Sequence, residues 1–577
     1  MRNPSAAIHV AKIVRKHGGK TYVSYLLRRS YRQNGKVKHL TLGNLSHLPE
    51  RLIDIIRRSL QGEAFVTPDE AFRTVATKPH GHVEAVLTTF RKLDLENLLA
   101  TQPSRHRSLI LALIAQRILF PCSKLATTRH WHDTTLAEEL GVEDADTKEL
   151  YAAMDWLLTH QPYIEKKLAQ RHLAEGAVVL YDVSSSYYEG HTCPLACYGY
   201  NRDSNKGLPI IVYGLLTDAQ GRAIALDVYA GNTADPVTVP DQIVKVRERF
   251  ALARVVLVGD RGMLTQTQID TLKKYPGLGW ISALRREAIR ELIDKGTLER
   301  SLFDQVNLAE ITSPDFPGER LMACYNPLLA EQRQVKRQRL LTATEENLQK
   351  LVAEVRRRTK KPLTAAAIGL KTGKVIGRHK MAKHFHLQIA DGSFAWSRNE
   401  ASLTCEEQLD GIYVIRTSEP ASASSSANCV RTYKSLSLVE QAFRCLKGID
   451  LLVRPIRHRV DPRVRAYLFL CLLAYYVQWH MRKALQPLLF ADEELDQDRW
   501  ERDPVKPAEA SRSAKDKKKI QKTADGMPVP SFATLLAHLA TRSRNTHQIV
   551  SDPTGATFKQ ITEPDALQAE ALRLLLL

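Results

Sequence analysis

Two short apolar stretches, each followed by an aspartate, constrain the fold of this chain more than any other feature of its sequence. The first is Val178–Tyr181, followed directly by Asp182, and the second is Val255–Val258, followed after one glycine by Asp260. Apolar, β-branched runs of this length are typical of strands buried between covering layers. In open α/β sheets, ligands bind outside the carboxyl ends of the strands. The two stretches therefore predict a site at these aspartates, although strand ends often carry an aspartate that only caps a turn or faces solvent.

Segments on either side of these stretches alternate between strand and helix patterns. Strands fit Pro209–Leu216, Ala223–Tyr229 and Gly279–Leu284. Helices fit Asp235–Phe250, which has a proline in its first turn, and Thr265–Tyr275. This succession predicts an α/β layer. If the two aspartate-bearing strands are neighbours, their carboxylates repel each other and gain from a hard divalent cation such as Mg²⁺.

A third candidate acid lies far along the chain, on a helix predicted over Val430–Lys447. Tyr433, Glu440 and Lys447 follow one another at intervals of seven residues, about 20° short of two full turns, so they share one face. Arg444, four residues after the glutamate, joins that face. An acid flanked by an aromatic ring and two cations suits metal binding beside a phosphate backbone. The alternative is a surface helix stabilised by a Glu–Arg pair.

The charge balance indicates a polyanionic partner. The 577 residues include 83 Lys and Arg against 63 Asp and Glu, which gives a net charge of +20. Such an excess most often accompanies nucleic-acid binding. Eight cysteines are too few for a disulfide framework, and the longest strongly apolar run, Tyr467–Val477, is shorter than the ~20 residues of a membrane span. We expect a cytoplasmic, nucleoid-associated protein with no membrane contact.

The first sixty residues are the most basic part of the chain and have the pattern of a small sheet. Three strand-like runs are separated by Gly18-Gly19 and Asn34-Gly35, which are favoured in tight hairpins, and a helix follows around Leu52–Leu60. A basic strand ribbon can enter a DNA groove, and the alternative is a sheet with a solvated charged face. The DNA-contacting residues predicted here are Arg28, Arg29 and Arg32.

Several ordered motifs between residues 176 and 485 carry a family resemblance. They are YDVSSSYYEG (181–190), YGYNRDSNKGLPIIVYGLL (198–216), GNTADP (231–236), VGDRGM (258–263), YKSLSLVEQAFRCLKG (433–448) and RPIRHRVDPRVRAYLFLCLLAYYVQWHM (454–481). Together they resemble DD(E/D) transposases of bacterial insertion sequences, in the insertion sequence 4 superfamily and most closely its insertion sequence 1634 group. The N-terminal basic sheet fits that group more loosely.

The resemblance implies a ribonuclease-H-like catalytic core with a divalent-metal triad. On this sequence the triad is Asp182, Asp260 and Glu440, which would hold two Mg²⁺ ions, with Mn²⁺ as a substitute. The family signature of tyrosine, arginine, glutamate and lysine is present around the glutamate, except that its arginine position is Leu436 here. The spare acids that could replace a member of the triad are Glu189, Asp203 and Asp227.

The implied reaction cuts DNA at the ends of an insertion sequence and joins the 3′-OH ends to target DNA by two-metal phosphoryl transfer. The implied partners are double-stranded DNA, as terminal inverted repeats and as target, and a second copy of the chain in a synaptic homodimer. The residues expected to contact DNA near the cut are Tyr433, Arg444, Lys447, Arg457 and His458. Two alternatives stay open: a transposase-derived DNA-binding protein without catalysis, and a metal-dependent nuclease without strand transfer.

Four regions are expected along the chain. Residues 1–75 form the basic sheet and helix, and residues 76–175 form a helical region that binds DNA, forms a dimer or supports the core. Residues 176–490 form the catalytic core, with a strand-rich insertion at about 285–410. Residues 491–577 form a charged linker and a C-terminal helix.

Overall fold

The computed structural model describes most of the chain, and it divides into two compact units. The described residues are 7–63, 65, 67, 71–203, 207–523, 525–550 and 554–577. Predictions for residues 1–6, for residues 204–206 of the second motif and for residue 524 of the charged linker lie outside the described residues. The first unit is Met1–Lys78 with Ser543–Thr562, and the second is Pro79–Arg542 with Glu563–Leu577.

Strands and helices are numbered along the chain. The strands are β1 (Ile8–His17), β2 (Lys20–Gln33), β3 (Lys36–Asn44), β4 (Phe72–Pro79), β5 (Ala177–Tyr187), β6 (Ile210–Asp218), β7 (Ala223–Ala230), β8 (Val255–Val258), β9 (Leu278–Ala283), β10 (Leu308–Ile311), β11 (Arg320–Tyr325), β12 (Phe385–Ala390), β13 (Ser393–Arg398), β14 (Ile412–Thr417), β15 (Ser543–Ile549) and β16 (Thr557–Ile561).

The α-helices are α1 (Glu50–Leu60), α2 (Gly81–Lys92), α3 (Leu95–Leu99), α4 (Arg105–Leu119), α5 (Lys124–Arg129), α6 (Leu136–Leu140), α7 (Thr147–His172), α8 (Val239–Val244), α9 (Gln266–Leu272), α10 (Arg286–Asp294), α11 (Pro327–Arg357), α12 (Ala365–Arg378), α13 (Glu400–Glu407), α14 (Ser426–Lys434), α15 (Leu436–Lys447), α16 (Asp461–Ala484), α17 (Leu495–Glu501), α18 (Arg512–Ile520), α19 (Phe532–Ala540) and α20 (Ala566–Leu576). Short 3₁₀ turns lie at Asp235–Thr238, Arg300–Phe303, Ala382–His384 and Gln486–Leu488, and a π turn lies at Lys245–Arg249.

The first unit contains two three-stranded antiparallel sheets. β1, β2 and β3 pair in sequence order, and the turns at Gly18-Gly19 and Asn34-Gly35 have the positive φ that tight hairpins require. α1 is tied to this sheet by the hydroxyl of Tyr25, which donates to Glu50 Oε1 at 2.7 Å. The predicted basic sheet and helix are confirmed. The second sheet joins β4 to β15 and β16, two strands that the sequence pattern did not predict.

The second unit is built on an eight-stranded mixed sheet in the order β10-β11-β14-β9-β8-β5-β6-β7. β5 pairs in parallel with β8, and β8 pairs in parallel with β9. The strands outside this central trio pair antiparallel. The predicted α/β layer is therefore confirmed, and the two strands that lead to Asp182 and Asp260 are neighbours.

Helices cover the sheet and are themselves packed together. α16 contacts α4, α7 and β7, and most of its side chains are buried. α4 and α7 belong to the predicted helical region 76–175, so this region supports the core. α15 packs directly on β5. Within the described residues, no helix is both long enough and apolar enough to cross a membrane.

The prediction of a strand-rich insertion at about 285–410 is wrong, because helices dominate this region. α11 alone has 31 residues, whereas the strands from β10 to β13 have four to six residues each. α11 and α12 share a buried apolar cluster that includes Leu348 and Ile368. Two long amphipathic helices that bury each other satisfy the pattern better than strands. β10 and β11 nevertheless extend the main sheet.

The prediction of a charged linker at the start of residues 491–577 is also corrected. α17 and α18 lie there, and Val505, between them, is fully buried. The carbonyl oxygen of this valine accepts a hydrogen bond from Nζ of Lys434 at 2.9 Å and one from Nδ2 of Asn326 at 3.3 Å. One apolar side chain and its backbone thus fix the segment to the core. The predicted terminal helix is α19, but β15, β16 and α20 follow it.

Candidate active site

The register of two neighbouring strands aligns the first two predicted acids. In the parallel pair of β5 and β8, the last aligned residues are Leu180 and Val258. Asp182 and Asp260 each lie two residues further along, so they stand at the same level of adjacent strands. β8 ends before its aspartate, whereas β5 continues through its own to Tyr187. The prediction that both apolar runs end at their aspartates is therefore correct for only one of them.

Asp182 is largely buried, and its carboxyl group resists ionisation. Burial raises the pKa of Asp182 to about 7, and repulsion from Asp260 adds to this effect. The opposing influences are a hydrogen bond of 2.8 Å, donated by the amide of Val183 to Oδ1, and the positive charge of Arg202. A carboxylate that is desolvated beside a second carboxylate gains from any added cation. This is the electrostatic signature expected of a functional acid.

Asp260 is exposed and held in position by backbone amides. Its Oδ1 accepts hydrogen bonds from the amides of Gly262 at 3.0 Å and Met263 at 2.7 Å. The aspartate thus organises the turn that follows β8. Two amide donors fix the orientation of one carboxylate oxygen. Asp260 can organise this turn and still bind a ligand, because its Oδ2 makes no hydrogen bond among the described residues.

The predicted helix Val430–Lys447 is two helices, α14 and α15, separated at Ser435. Tyr433 therefore belongs to the helix before the one that carries Glu440, and the seven-residue spacing does not place both on one continuous face. The tyrosine is nevertheless close to the predicted acids. Burial raises the pKa of Tyr433 to about 12, with further contributions from the charges of Asp260, Glu440 and Asp182.

Glu440 lies at the same end of the sheet but does not join the aspartates in one cluster. It is exposed on α15, and this helix packs on β5. Within the described parts of the chain, no three His, Cys, Asp or Glu side chains are close enough together to hold one metal ion. The structure therefore brings the first two acids side by side, with the third nearby on an adjacent helix.

Arg202 connects the acid pair to the motif that begins at residue 198. Its guanidinium forms an ion pair with Asp235, and its amide contacts Oγ of Ser185 at 3.4 Å. The surroundings of β5 thus include a cation, Arg202, that lowers the pKa of Asp182 and an acid, Asp235, that raises it. Asp235 is the first residue of a 3₁₀ turn whose N-cap position is Ala234.

A buried ion cluster next to β5 is the feature that sequence reasoning missed. Asp203 accepts hydrogen bonds at its Oδ1 from Nζ of Lys447 at 3.1 Å and from Nη1 of Arg454 at 2.6 Å. The same lysine donates to Oγ of Ser184 at 2.9 Å and to the carbonyl oxygen of Ser185 at 3.1 Å. Burial lowers the pKa of Lys447. The predicted DNA contact of this lysine is therefore replaced here by internal contacts.

The other residues predicted to bind DNA near the cut differ in accessibility. Arg444 is exposed, and its guanidinium makes no hydrogen bond or ion pair among the described residues. Arg457 is 71% exposed and pairs with Glu189 at 2.9 Å. His458 packs against the ring of Tyr467 at 4.8 Å, and burial lowers the pKa of this histidine to about 3. The imidazole of His458 is therefore neutral and packed against an aromatic ring, and its predicted contact with DNA stays a prediction.

The three predicted arginines of the basic sheet lie on β2 and do not share one face. Arg28 aligns with His9, and Arg29 aligns with Ile8, so successive side chains point to opposite faces. Arg29 and Arg32 are exposed. Nε of Arg28 is buried and has no hydrogen-bond partner among the described residues. Each face of the sheet therefore carries at least one of the predicted cations.

Comparisons with known proteins bear on the two units differently. Residues 10–69 match the family model described as the IS1634 family transposase, N-terminal domain. The match covers β1–β3 and α1, and it supports the resemblance to insertion sequence 1634 transposases for this part of the chain. It does not reach the acids of the core. No curated protein matches the chain in sequence.

Among solved structures, the chain is similar to a cryo-EM structure of the piggyBac transposase synaptic complex with hairpin DNA. The identity is 11%, the TM-score is 0.33, and the similarity covers 69% of this chain and 71% of that chain. At this TM-score the similarity carries no argument about the site.

Proposed function

We propose that this protein is a DD(E/D) transposase of the insertion sequence 4 superfamily, with a ribonuclease-H-like core. It would cut DNA at the ends of an insertion sequence and join the 3′-OH ends to target DNA. The observation that carries the proposal is the register of the parallel strands β5 and β8, which brings Asp182 and Asp260 to the same level, together with the pKa of Asp182, which is raised to about 7. The match of residues 10–69 to a transposase domain supports it from outside the core.

The donor chemistry of the acid pair suits hard divalent cations. Asp182 and Asp260 offer carboxylate oxygens, which are the ligands that Mg²⁺ and Mn²⁺ prefer. The energetic cost of ionising the buried aspartate beside its neighbour falls when a cation is added. We therefore include two such ions in the proposal, held by the two aspartates and by Glu440. The glutamate would complete the set when DNA is engaged, because the three acids do not form one cluster in the protein alone.

When bound, the ions would activate the attacking water or 3′-OH and neutralise charge on the leaving oxygen. The residues of the chain supply orientation. The amides of Val183, Gly262 and Met263 fix the carboxylates of the two aspartates. With a pKa near 12, Tyr433 stays neutral, so its hydroxyl can donate a hydrogen bond to a phosphate oxygen without repelling it.

The partners in this proposal are duplex DNA, as terminal inverted repeats and as target, and a second copy of the chain. Two exposed cations of the core unit, Arg444 and Arg457, are available to contact the phosphate backbone. Such contacts are sensitive to salt and mostly independent of sequence. Two ends cut in concert require two active sites, which is the reason for proposing a homodimer.

The test of the proposal is cleavage of a duplex that carries the DNA flanking the gene, in the presence of Mg²⁺ or Mn²⁺. Asp182→Asn, Asp260→Asn and Glu440→Gln should each lower the cleavage rate about a thousandfold or more, because each removes several kcal/mol of transition-state stabilisation. Asp270→Asn is the matched control, since this acid is exposed on α9 and bonded to Gln266. Normal cleavage by any of the three variants would remove that residue from the site.

A second readout does not depend on catalysis. Mn²⁺ titrated into the protein alone should give a calorimetric signal that Asp182→Asn and Asp260→Asn abolish and Asp270→Asn retains. Cleavage without joined products would favour the nuclease, and DNA binding with neither cleavage nor metal binding would favour a silent DNA-binding protein. Joined products from the unmodified chain would support the transposase over both.

A further inference from the structure

Two tyrosines in the segment that leads to Arg202 are largely exposed. Tyr198 is 73% exposed and Tyr200 is 81% exposed, although tyrosine rings usually bury most of their apolar surface. They flank Gly199 in the second motif of the core. Nothing in the reaction proposed above uses them. Their position and surroundings nevertheless indicate a specific role.

Close contacts of the backbone around Gly199 keep the two tyrosines exposed. A Cβ placed on Gly199 would lie 2.0 Å from the carbonyl oxygen of Gly231, so the chain at this glycine is pressed against another segment. Just before it, Cys197 and Ile210 exchange two backbone hydrogen bonds, of 2.9 and 3.1 Å. Because Gly199 packs closely against the backbone of Gly231, the side chains of Tyr198 and Tyr200 on either side of it face solvent. The tyrosines are therefore held outward by a rigid support.

The residues that follow attach this segment to the active strand. The amide of Arg202 contacts Oγ of Ser185, three residues after Asp182 on β5, and the Arg202 guanidinium lies 5.5 Å from the centre of the Tyr200 ring. Its ion pair with Asp235 fixes this guanidinium. Because the charge of Arg202 acts on Asp182, the segment lies within electrostatic reach of the acid pair.

Exposed aromatic faces next to fixed cations are the surface by which proteins bind unpaired nucleic-acid bases. Stacking supplies the contact with each base, and the cations contact the backbone. A base inside a duplex has its faces covered by its neighbours, so only an unpaired or displaced base can use such a platform. A protein partner would be expected to need a broader apolar patch than two rings beside an arginine.

We infer that Tyr198 and Tyr200 form a stacking platform for unpaired bases of the DNA strand whose end is processed at Asp182. This inference rests on the proposed function and extends it. The platform would hold the strand end in line with the acid pair after the duplex opens locally. Tyr433, the aromatic residue that the sequence predicted to contact DNA near the cut, is mostly enclosed, whereas Tyr198 and Tyr200 are open.

The experiment measures binding of a single-stranded oligonucleotide that has a fluorescent adenine analogue at its 3′ end. Base stacking quenches this fluorophore. Tyr198→Ala and Tyr200→Ala should each weaken single-strand binding about tenfold and reduce the quenching, because one base–aromatic stack is lost. Tyr198→Phe and Tyr200→Phe should retain both. Tyr163→Ala is the matched control, since this tyrosine is also exposed and belongs to another element, α7.

The design separates failure of the platform from failure of the proposed function. If the alanine variants bind and quench like the unmodified protein, the platform is wrong, whether or not Asp182→Asn abolishes cleavage. If quenching is lost in the alanine variants while Asp182→Asn still cleaves, the platform stands and the catalytic proposal falls. An equal loss of affinity for a blunt duplex of the same sequence would also overturn the platform, because stacking on unpaired bases would not explain it. Unchanged thermal unfolding of each variant confirms that the fold is intact.

Discussion

Two buried acids of the core unit are surrounded in opposite ways. Glu165, on α7, has no exposed side-chain surface, yet it contacts two cations: Nη1 of Arg249 at 2.6 Å and Nζ of Lys245 at 3.3 Å. The amide of Leu226 donates to its other oxygen at 3.1 Å. Asp182 is also largely buried, but among charged groups another acid, Asp260, has the largest influence on it, and the pKa of Asp182 is raised. The first arrangement is complete within the chain, whereas the second gains from an external cation.

The comparison shows how a structural acid can be distinguished from a functional one. Burying an acid is costly, and a protein that needs the acid only for its fold compensates it internally. Asp203, which is bound by Lys447 and Arg454, belongs with Glu165 in this respect. The pair formed by Asp182 and Asp260 lacks such compensation. Three variants test this distinction.

Removal of Glu165, the acid whose charge is compensated within the chain, should have the largest effect on stability. Glu165→Ala leaves Lys245 and Arg249 without their shared partner, so the free energy of unfolding should fall by about 3–5 kcal/mol. Chemical denaturation checks this value. Glu248→Ala, which changes an exposed acid of the adjacent helical turn, should change the free energy by less than about 0.5 kcal/mol. A small effect of Glu165→Ala would mean that its ion pairs are not needed for the fold.

Neutralising the uncompensated acid should stabilise the protein in the absence of metal. Because the pKa of Asp182 is about 7 in the folded state and near 3.8 when unfolded, the folded state binds more protons between these values. Stability of the unmodified protein should therefore fall as pH rises from about 4 to about 7. Above that window, the free energy of unfolding of Asp182→Asn should exceed that of the unmodified protein by up to about 4 kcal/mol, because one pKa unit corresponds to about 1.4 kcal/mol.

Denaturation with a chelator at pH 5 and pH 8 checks this prediction. The difference in unfolding free energy between Asp182→Asn and the unmodified chain should grow with pH. Asp270→Asn provides the control for loss of a carboxylate as such. Identical pH profiles for Asp182→Asn and the unmodified protein would show that the aspartate is solvated, and the contrast with Glu165 would disappear.

The smallest effect is expected at the exposed edge of the site. Arg457 forms a surface ion pair with Glu189, so Arg457→Gln should leave stability unchanged within about 0.5 kcal/mol. Its loss should instead reduce the dependence of duplex affinity on salt by about one unit of the logarithmic slope, since one phosphate contact disappears. Arg247→Gln is a matched control at a cation bonded to backbone carbonyls. An unchanged slope would place Arg457 outside the DNA interface.

Local patterns predicted the parts of the fold that depend on short-range physics. The strands before Asp182 and Asp260 follow from their β-branched runs, and the hairpin at Gly18-Gly19 follows from its turn residues. Their parallel pairing follows less directly, because neighbours in a sheet are set by the whole topology. The alignment of the two aspartates is thus an expectation from sequence that required a structure to test.

Features that depend on distant contacts were predicted poorly. The break at Ser435 was missed because a serine is tolerated in a helix, and Oγ here bonds back to the carbonyl oxygen of Arg431 at 3.1 Å. The contact of Asp203 with Lys447 joins residues 244 positions apart, so no local pattern contains it. β15 and β16 were missed because their side chains are mostly polar or exposed. β15 and β16 form strands because they join the sheet that contains β4, a long-range contact that their own composition does not indicate.

The alignment of β5 with β8 also limits how this gene can vary. Side chains alternate between the two faces of a strand, so a shift of one position in either strand reverses every side chain that follows. Insertion or deletion of a single codon between Val255 and Gly259 would turn Asp260 away from Asp182 while leaving every acid in the protein. Natural length variation should therefore accumulate in the helical insertion and spare this four-residue strand.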